Sequence, residues 1–335
     1  MIKRRLILER RPQFVALSDY DKAAKEIDGL LGSLPGIVAV YRLGSVSAPG
    51  ISDVDRIAVV ERSARGPTVW GRMSESTRYV AMHSPFLVDV DTFVRHRWFA
   101  MPEPLELVAG TELALEEPPS HQLLRELAGI EGLVVSRLKL AKQLATGRIK
   151  VRPFLCELHN LRHDLRLTGI SESAAPHAWA LTAEILAVRD QWWKTADQER
   201  DSRVLELSSL APLAIEEALA GFSRVTSQTA TASPMRLGAE WNNVTLTNEP
   251  VQKASFEFAG LFGRVSRRAA ELVWRHERHH LALPNPVVSF LSAARAAADE
   301  VLAERLVVVR RYAAFMDTQD TGWSSIGLGR IFSGA

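Results

Sequence analysis

The sequence predicts an α+β protein in two parts: a mixed sheet with flanking helices over residues 1–118, and an all-helical domain over 119–335. Three observations predict this. Strand-like β-branched runs such as GIVAVYRL (36–43) and DVDRIAVVE (53–61) lie in the first third of the chain. Pro118 and Pro119 punctuate a change in texture. Beyond them, apolar residues recur at the helical period in one segment after another. The 335 residues exceed what one small core needs. A content of 47% hydrophobic and 24% charged residues is that of a globular chain rather than a disordered one.

The elements follow in order. Ser18 is a good N-cap, with Asp19 and Asp21 close behind it. Ala23, Ala24, Ile27, Leu30 and Leu31 then keep helical spacing up to the glycine- and proline-containing stretch 32–36. GIVAVYRL reads as a strand, and DVDRIAVVE reads as a second one after a loop. Residues 61–77 are loop-rich. RYVAMHSPFLVDVDTF (78–93) offers one or two more strands, its last part alternating apolar residues with Asp89 and Asp91 on the opposite face. LELVAGTELALEE (105–117) gives a strand-like pair around Gly110. After the prolines come helical segments at about 123–147, 155–167, 178–193, 204–222, 256–280 and 287–316, with a polar loop expected over 224–250.

Bulk properties exclude some functions. A net charge of +2 gives no general attraction for nucleic acid. The single cysteine, Cys156, allows neither an internal disulfide nor a cysteine-based metal site, which fits a reducing cytoplasm. MIKRRLILERR lacks the apolar core of a secretory signal, and no run approaches the roughly 20 apolar residues of a spanning helix. A cytoplasmic protein without a membrane partner is expected.

The chemistry concentrates in YRLGSVSAPGISDVDRIAVV (41–60). Asp53 and Asp55 stand two apart at the mouth of a strand, on one face. Carboxylates that close repel unless a cation lies between them. Mg²⁺ is bound through one or two carboxylates plus substrate phosphates. Gly44 lets the backbone approach a phosphate, and Ser45 offers a hydroxyl. Asp89 completes a metal site if its strand lies beside that of Asp55, and Asp91 competes with it for this position.

Gly44-Ser45, then Ser52-Asp53-Val54-Asp55, then Val88-Asp89-Val90 resembles the signature of the DNA polymerase β-like nucleotidyltransferase superfamily, over roughly the first third of the chain. The resemblance implies that Asp53, Asp55 and Asp89 are catalytic and bind two Mg²⁺ ions, and that Gly44, Ser45 and Ser52 hold a nucleoside triphosphate. It implies transfer of a nucleoside monophosphate to an acceptor hydroxyl with release of pyrophosphate. A small-molecule acceptor is favoured over protein or nucleic acid. It also implies a lysine or arginine of the helical part at the triphosphate, with Arg137, Lys139 and Lys142 as candidates. Arg56 departs from the pattern, standing where an apolar residue is usual. A different class of function, a non-catalytic nucleotide-binding or sensor protein, keeps the same fold.

HERHH (276–280) is a second motif. On a helix, His276 and His280 share a face and can hold zinc, with Glu277 as general base and Glu300 or Glu304 as a further ligand. The crowding of Arg275, Arg278 and His279 works against a dication there. His159 and His163 form another i, i+4 pair, for which a packed helix face is the simpler reading. Trp192-Trp193 reads as core packing before it reads as a base-stacking platform.

Overall fold

The computed structural model describes residues 6–61, 69–98, 104–118, 121–222, 235–236, 244–247, 279–295, 300 and 303–305. It is a mixed α+β structure, with a small mixed sheet near the N-terminus and helices after it. The chain divides into two compact units.

The first unit runs from Gln13 to Leu124, joined by residues 303–305. Helix α1 (Leu17–Gly32) is followed by strands β2 (Ile37–Leu43) and β3 (Asp55–Val60), helix α2 (Glu75–Ala81), strand β4 (Phe86–Asp89), the single turn α3 (Val90–Phe93) and strand β5 (Leu105–Gly110). The strand order is β4-β3-β2-β5. β2 is antiparallel to both β3 and β5, whereas β3 and β4 run parallel. From Arg56 onward β3 is buried at every residue, as its unbroken IAVV run requires of a strand covered on both faces. Ile27 and Leu31 of α1 and Val80 of α2 pack against Val40, Ala58, Val60 and Leu87 of the sheet. Burial of each such side chain contributes on the order of 2 kcal/mol.

Arg56, the charged residue inside this strand, has a specific partner. It is only 4% exposed, and its Nε and Nη2 donate to the carboxylate of Asp28 on α1 at 2.7 and 3.2 Å. A two-bond fork of this kind satisfies a buried guanidinium and fixes the helix along the strand.

Several local expectations change. Helix α1 begins at Leu17, with Ala16 rather than Ser18 at the N-cap. Residues 75–81 form helix α2 instead of a strand, because the Ser74 hydroxyl caps it by accepting from Thr77 N at 3.2 Å. Glu26 of α1 secures that turn, accepting from Ser74 N and from the Ser74 and Thr77 hydroxyls. β5 stops at Gly110, and no strand follows it over 111–118. Gly110 has φ +87°, and a Cβ there would meet the Val38 carbonyl oxygen at 2.1 Å.

The second unit holds the helices. Strand β1 (Ile7–Glu9) pairs in parallel with β6 (Arg148–Lys150), so these early residues belong here and not to the sheet unit expected over 1–118. Helix α4 (His121–Thr146), which enters this unit at Arg125, is followed by α5 (Val151–Thr168), α6 (Pro176–Gln191) and α7 (Asp197–Gly221). They share a core that includes Leu127, Ile130, Leu133, Phe154, Leu161, Ile185 and Ile215. Trp192 lies in this core, and Arg200 sits 5.4 and 5.7 Å from the rings of Trp192 and Trp193. Within the polar loop expected over 224–250, residues 235–236 and 244–247 form strands β7 (Met235–Arg236) and β8 (Val244–Thr247). They make a sheet with β9 (His279–Ala282), and helix α8 (Asn285–Arg295) follows. No described helix is long and apolar enough to cross a membrane.

Candidate metal centre

β2 and β3 are antiparallel, with Leu43 opposite Asp55. The end of one strand and the start of the other therefore meet, and the intervening loop closes over that corner of the sheet. Gly44 takes φ +67°, a left-handed conformation suited to glycine, and its N–H donates to the Pro104 carbonyl at 3.2 Å. Gly44 thus shapes the turn with its amide already engaged. Ser45 is exposed.

The rest of the loop is pinned from α1 and α2. The Tyr20 hydroxyl donates to the Ser52 carbonyl and accepts from Gly50 N, both at 2.8 Å. The Tyr79 hydroxyl donates to the Gly50 carbonyl at 3.0 Å and accepts from Gln13 N at 2.6 Å. Ser52 is buried, and its hydroxyl accepts from Ala48 N at 3.0 Å. Its place in the structure is inside the loop, holding the backbone. Of the three residues expected to hold a triphosphate, Ser45 alone presents an exposed hydroxyl.

Asp53 lies in the last turn of this loop, and Asp55 opens β3. The two carboxylates come together as expected, but the third group beside them is His83, not Asp89. One ligand atom from each of Asp53, Asp55 and His83 lies within 4.8 Å of the others. The parallel pairing of β3 and β4 accounts for this. Asp89 stands level with Val60, the last residue of β3, whereas Asp55 is the first. Five residues of strand separate the two levels, about 16 Å at the usual rise. Asp89 is buried at the far end, where its Oδ1 accepts from Thr92 N at 2.6 Å and caps α3. Asp91 falls in the first turn of α3, so it does not share a strand face with Asp89. At the near end, Phe86 is opposite Ile57, and the chain reaches it through His83 and Ser84.

His83 is buried, and its ring packs against Phe86 with centroids 4.7 Å apart. Nδ1 lies 2.8 Å from the Ser84 carbonyl oxygen, which can only accept, so Nδ1 carries a proton. Nε2 is left facing the acids, 2.8 Å from Asp55 Oδ1. Burial alone would lower the pKa of this imidazole. The carboxylates of Asp55 and Asp53 outweigh it and raise the value to about 9. With no cation present, His83 is therefore protonated at neutral pH. Oδ1 of Asp55 is itself buried, with Nε2 as its ion-pair partner. Sequence reading had no signal for His83. It belongs to no spacing motif, and only the parallel pairing brings it to this corner.

The donor set suits a dication. Two carboxylates match its charge, and a buried imidazole nitrogen lies beside them. The remaining sequence candidates lie elsewhere. Arg137 pairs with Glu216, and Lys139 with Glu157 at 2.6 Å, both within the helical unit. His159 and His163 stack edge to face on α5, with centroids 6.2 Å apart. In HERHH, His280 belongs to strand β9, which removes the one-turn helical spacing at that end; His276 and Glu277 lie outside the described residues.

No protein-family model matches this chain, and comparisons with curated proteins and with solved structures gave no significant match.

Proposed function

We propose that this protein is a divalent-metal-dependent nucleotidyltransferase acting from the corner formed by Gly44, Ser45, Asp53 and Asp55. The observation that carries the reading is the convergence of the Asp53 and Asp55 carboxylates beside a glycine-shaped turn with an exposed serine hydroxyl. Asp53 and Asp55 hold the metal, and Ser45 donates to a phosphate oxygen of a nucleoside triphosphate. When bound, the metal supplies charge neutralisation for the phosphates and the departing pyrophosphate. The acceptor oxygen forms a bond to the α-phosphorus as the bond to the pyrophosphate oxygen breaks, and the hydroxyl proton passes to solvent water. A small-molecule hydroxyl is the favoured acceptor, because the chain's charge is close to balanced.

A second reading is a nucleotide-binding protein that performs no transfer. The position of Asp89 favours it, because the third acid of the signature is at the wrong end of the sheet to act on the acceptor hydroxyl. One experiment separates the two. Purified protein is incubated with labelled nucleoside triphosphates, Mg²⁺ or Mn²⁺ and a small-molecule extract, and pyrophosphate and labelled products are measured. Transfer predicts pyrophosphate release, which falls by about a thousandfold in the folded Asp53→Ala/Asp55→Ala variant. Saturable triphosphate binding without pyrophosphate supports the second reading. Full activity in the double variant overturns the site assignment.

A further inference from the structure

The third member of the cluster carries an inference that rests on this metal reading and deepens it. We infer that Nε2 of His83 is a direct metal ligand, and that the site takes a nitrogen-accepting first-row dication in preference to Mg²⁺. Three independent features of the ring point there.

The first is its orientation. Nδ1 donates to the Ser84 carbonyl at 2.8 Å, which leaves Nε2 toward Asp53 and Asp55. A second-shell carbonyl on the far nitrogen is the usual way in which a ligating histidine is oriented and its basicity raised. The second is the contact with Asp55. Nε2 and Oδ1 are 2.8 Å apart. Neighbouring ligand atoms, each about 2.1 Å from a shared dication, stand about 3 Å apart. The separation of Nε2 and Oδ1 is close to that spacing, and a ligand atom of Asp53 lies within 4.8 Å of both residues' ligand atoms. The third is rigidity. His83 is 4% exposed and held by Phe86, so it cannot swing away to leave an all-oxygen site.

Ligand chemistry then selects the ion. Mg²⁺ is held by oxygen donors and gives up water reluctantly. Imidazole suits later first-row dications, whose affinity for a given nitrogen and oxygen donor set rises from Mn²⁺ toward Cu²⁺. The ion displaces the Nε2 proton to solvent, and two carboxylates and the neutral imidazole around it leave the corner without net charge. An acid in the place of His83 would make an oxygen-only site and restore the match to Mg²⁺.

The test uses the full chain without nucleotide. Calorimetric titration with Co²⁺ and with Mg²⁺ is expected to show Co²⁺ binding more than tenfold tighter. His83→Gln should weaken Co²⁺ by about 10- to 100-fold and leave Mg²⁺ within about threefold. His83→Asp should narrow the preference. Pulsed electron paramagnetic resonance of Mn²⁺ bound to the wild type should show coupling to a ¹⁴N nucleus, and this measurement stands even if a variant fails to fold. Bound Mn²⁺ without nitrogen coupling, or equal loss of both ions in His83→Gln, overturns the role of His83 while the metal reading survives. Failure of any dication to bind the wild type overturns both.

Discussion

Two groups of buried and half-buried ionisable side chains, one in each unit, meet the same physical problem in opposite ways. At the mouth of β3, Asp53 and Asp55 surround His83 and raise its pKa to about 9 although the ring is buried. On α5, burial, followed by the positive charges of Arg189 and Arg162, lowers His159 to about 3. Burial, then Arg162 and Arg166, lowers His163 to about 4. Asp164, on the same helix, is pushed well above the usual carboxylate range by burial and then by Glu157. On α5, burial favours the neutral forms of all three groups. In the sheet unit, the two acids keep a buried imidazole charged. Histidine by itself indicates neither outcome. Its neighbours decide it.

Arg56→Met removes the partner of Asp28 and unties α1 from the strand that carries Asp55. Breaking such a pair costs about 3 kcal/mol, to be read as a lower midpoint in urea unfolding. Gly129→Ala attacks the α5 group instead. A Cβ at Gly129 would stand 2.7 Å from the Asp164 carbonyl oxygen and 2.8 Å from Thr168 N, so α4 and α5 must part. The expected cost is about 2 kcal/mol, with metal binding at the sheet corner unchanged.

Titration affects the two groups in opposite senses. His159 and His163 have folded pKa values below the unfolded value, so the unfolded chain takes up more protons. Their contribution is intact above about pH 6.5 and is lost as pH falls toward 4. The variant His159→Leu/His163→Leu should therefore lose less stability than the wild type between pH 7 and 4.5. The sign reverses for His83 in the metal-free protein. Its raised pKa contributes stability that is full below about pH 6.5 and is lost as pH rises through about 9. The smallest effect is expected for Tyr20→Phe, which deletes the hydrogen bonds to Ser52 and Gly50 at a cost of about 1 kcal/mol. If the pinned loop positions Asp53, this variant also weakens Co²⁺ binding measured by calorimetry.

The sequence by itself determined what depends on neighbours along the chain. It contained the helical period of α4 to α7, the buried IAVV run of β3, the glycine turn and the paired acids that open the strand. It did not reveal that Ser74 caps a helix over a stretch rich in strand-forming residues, because the capping acceptor is completed by Glu26 of another helix. Nor did it explain Arg56, whose partner lies 28 positions earlier. Above all, side-chain alternation along a strand tells which face a residue occupies, but not which way the neighbouring strand runs. Only the tertiary structure decided that β3 and β4 are parallel. That one choice carried Asp89 to the far end of the sheet and put His83 beside the acids.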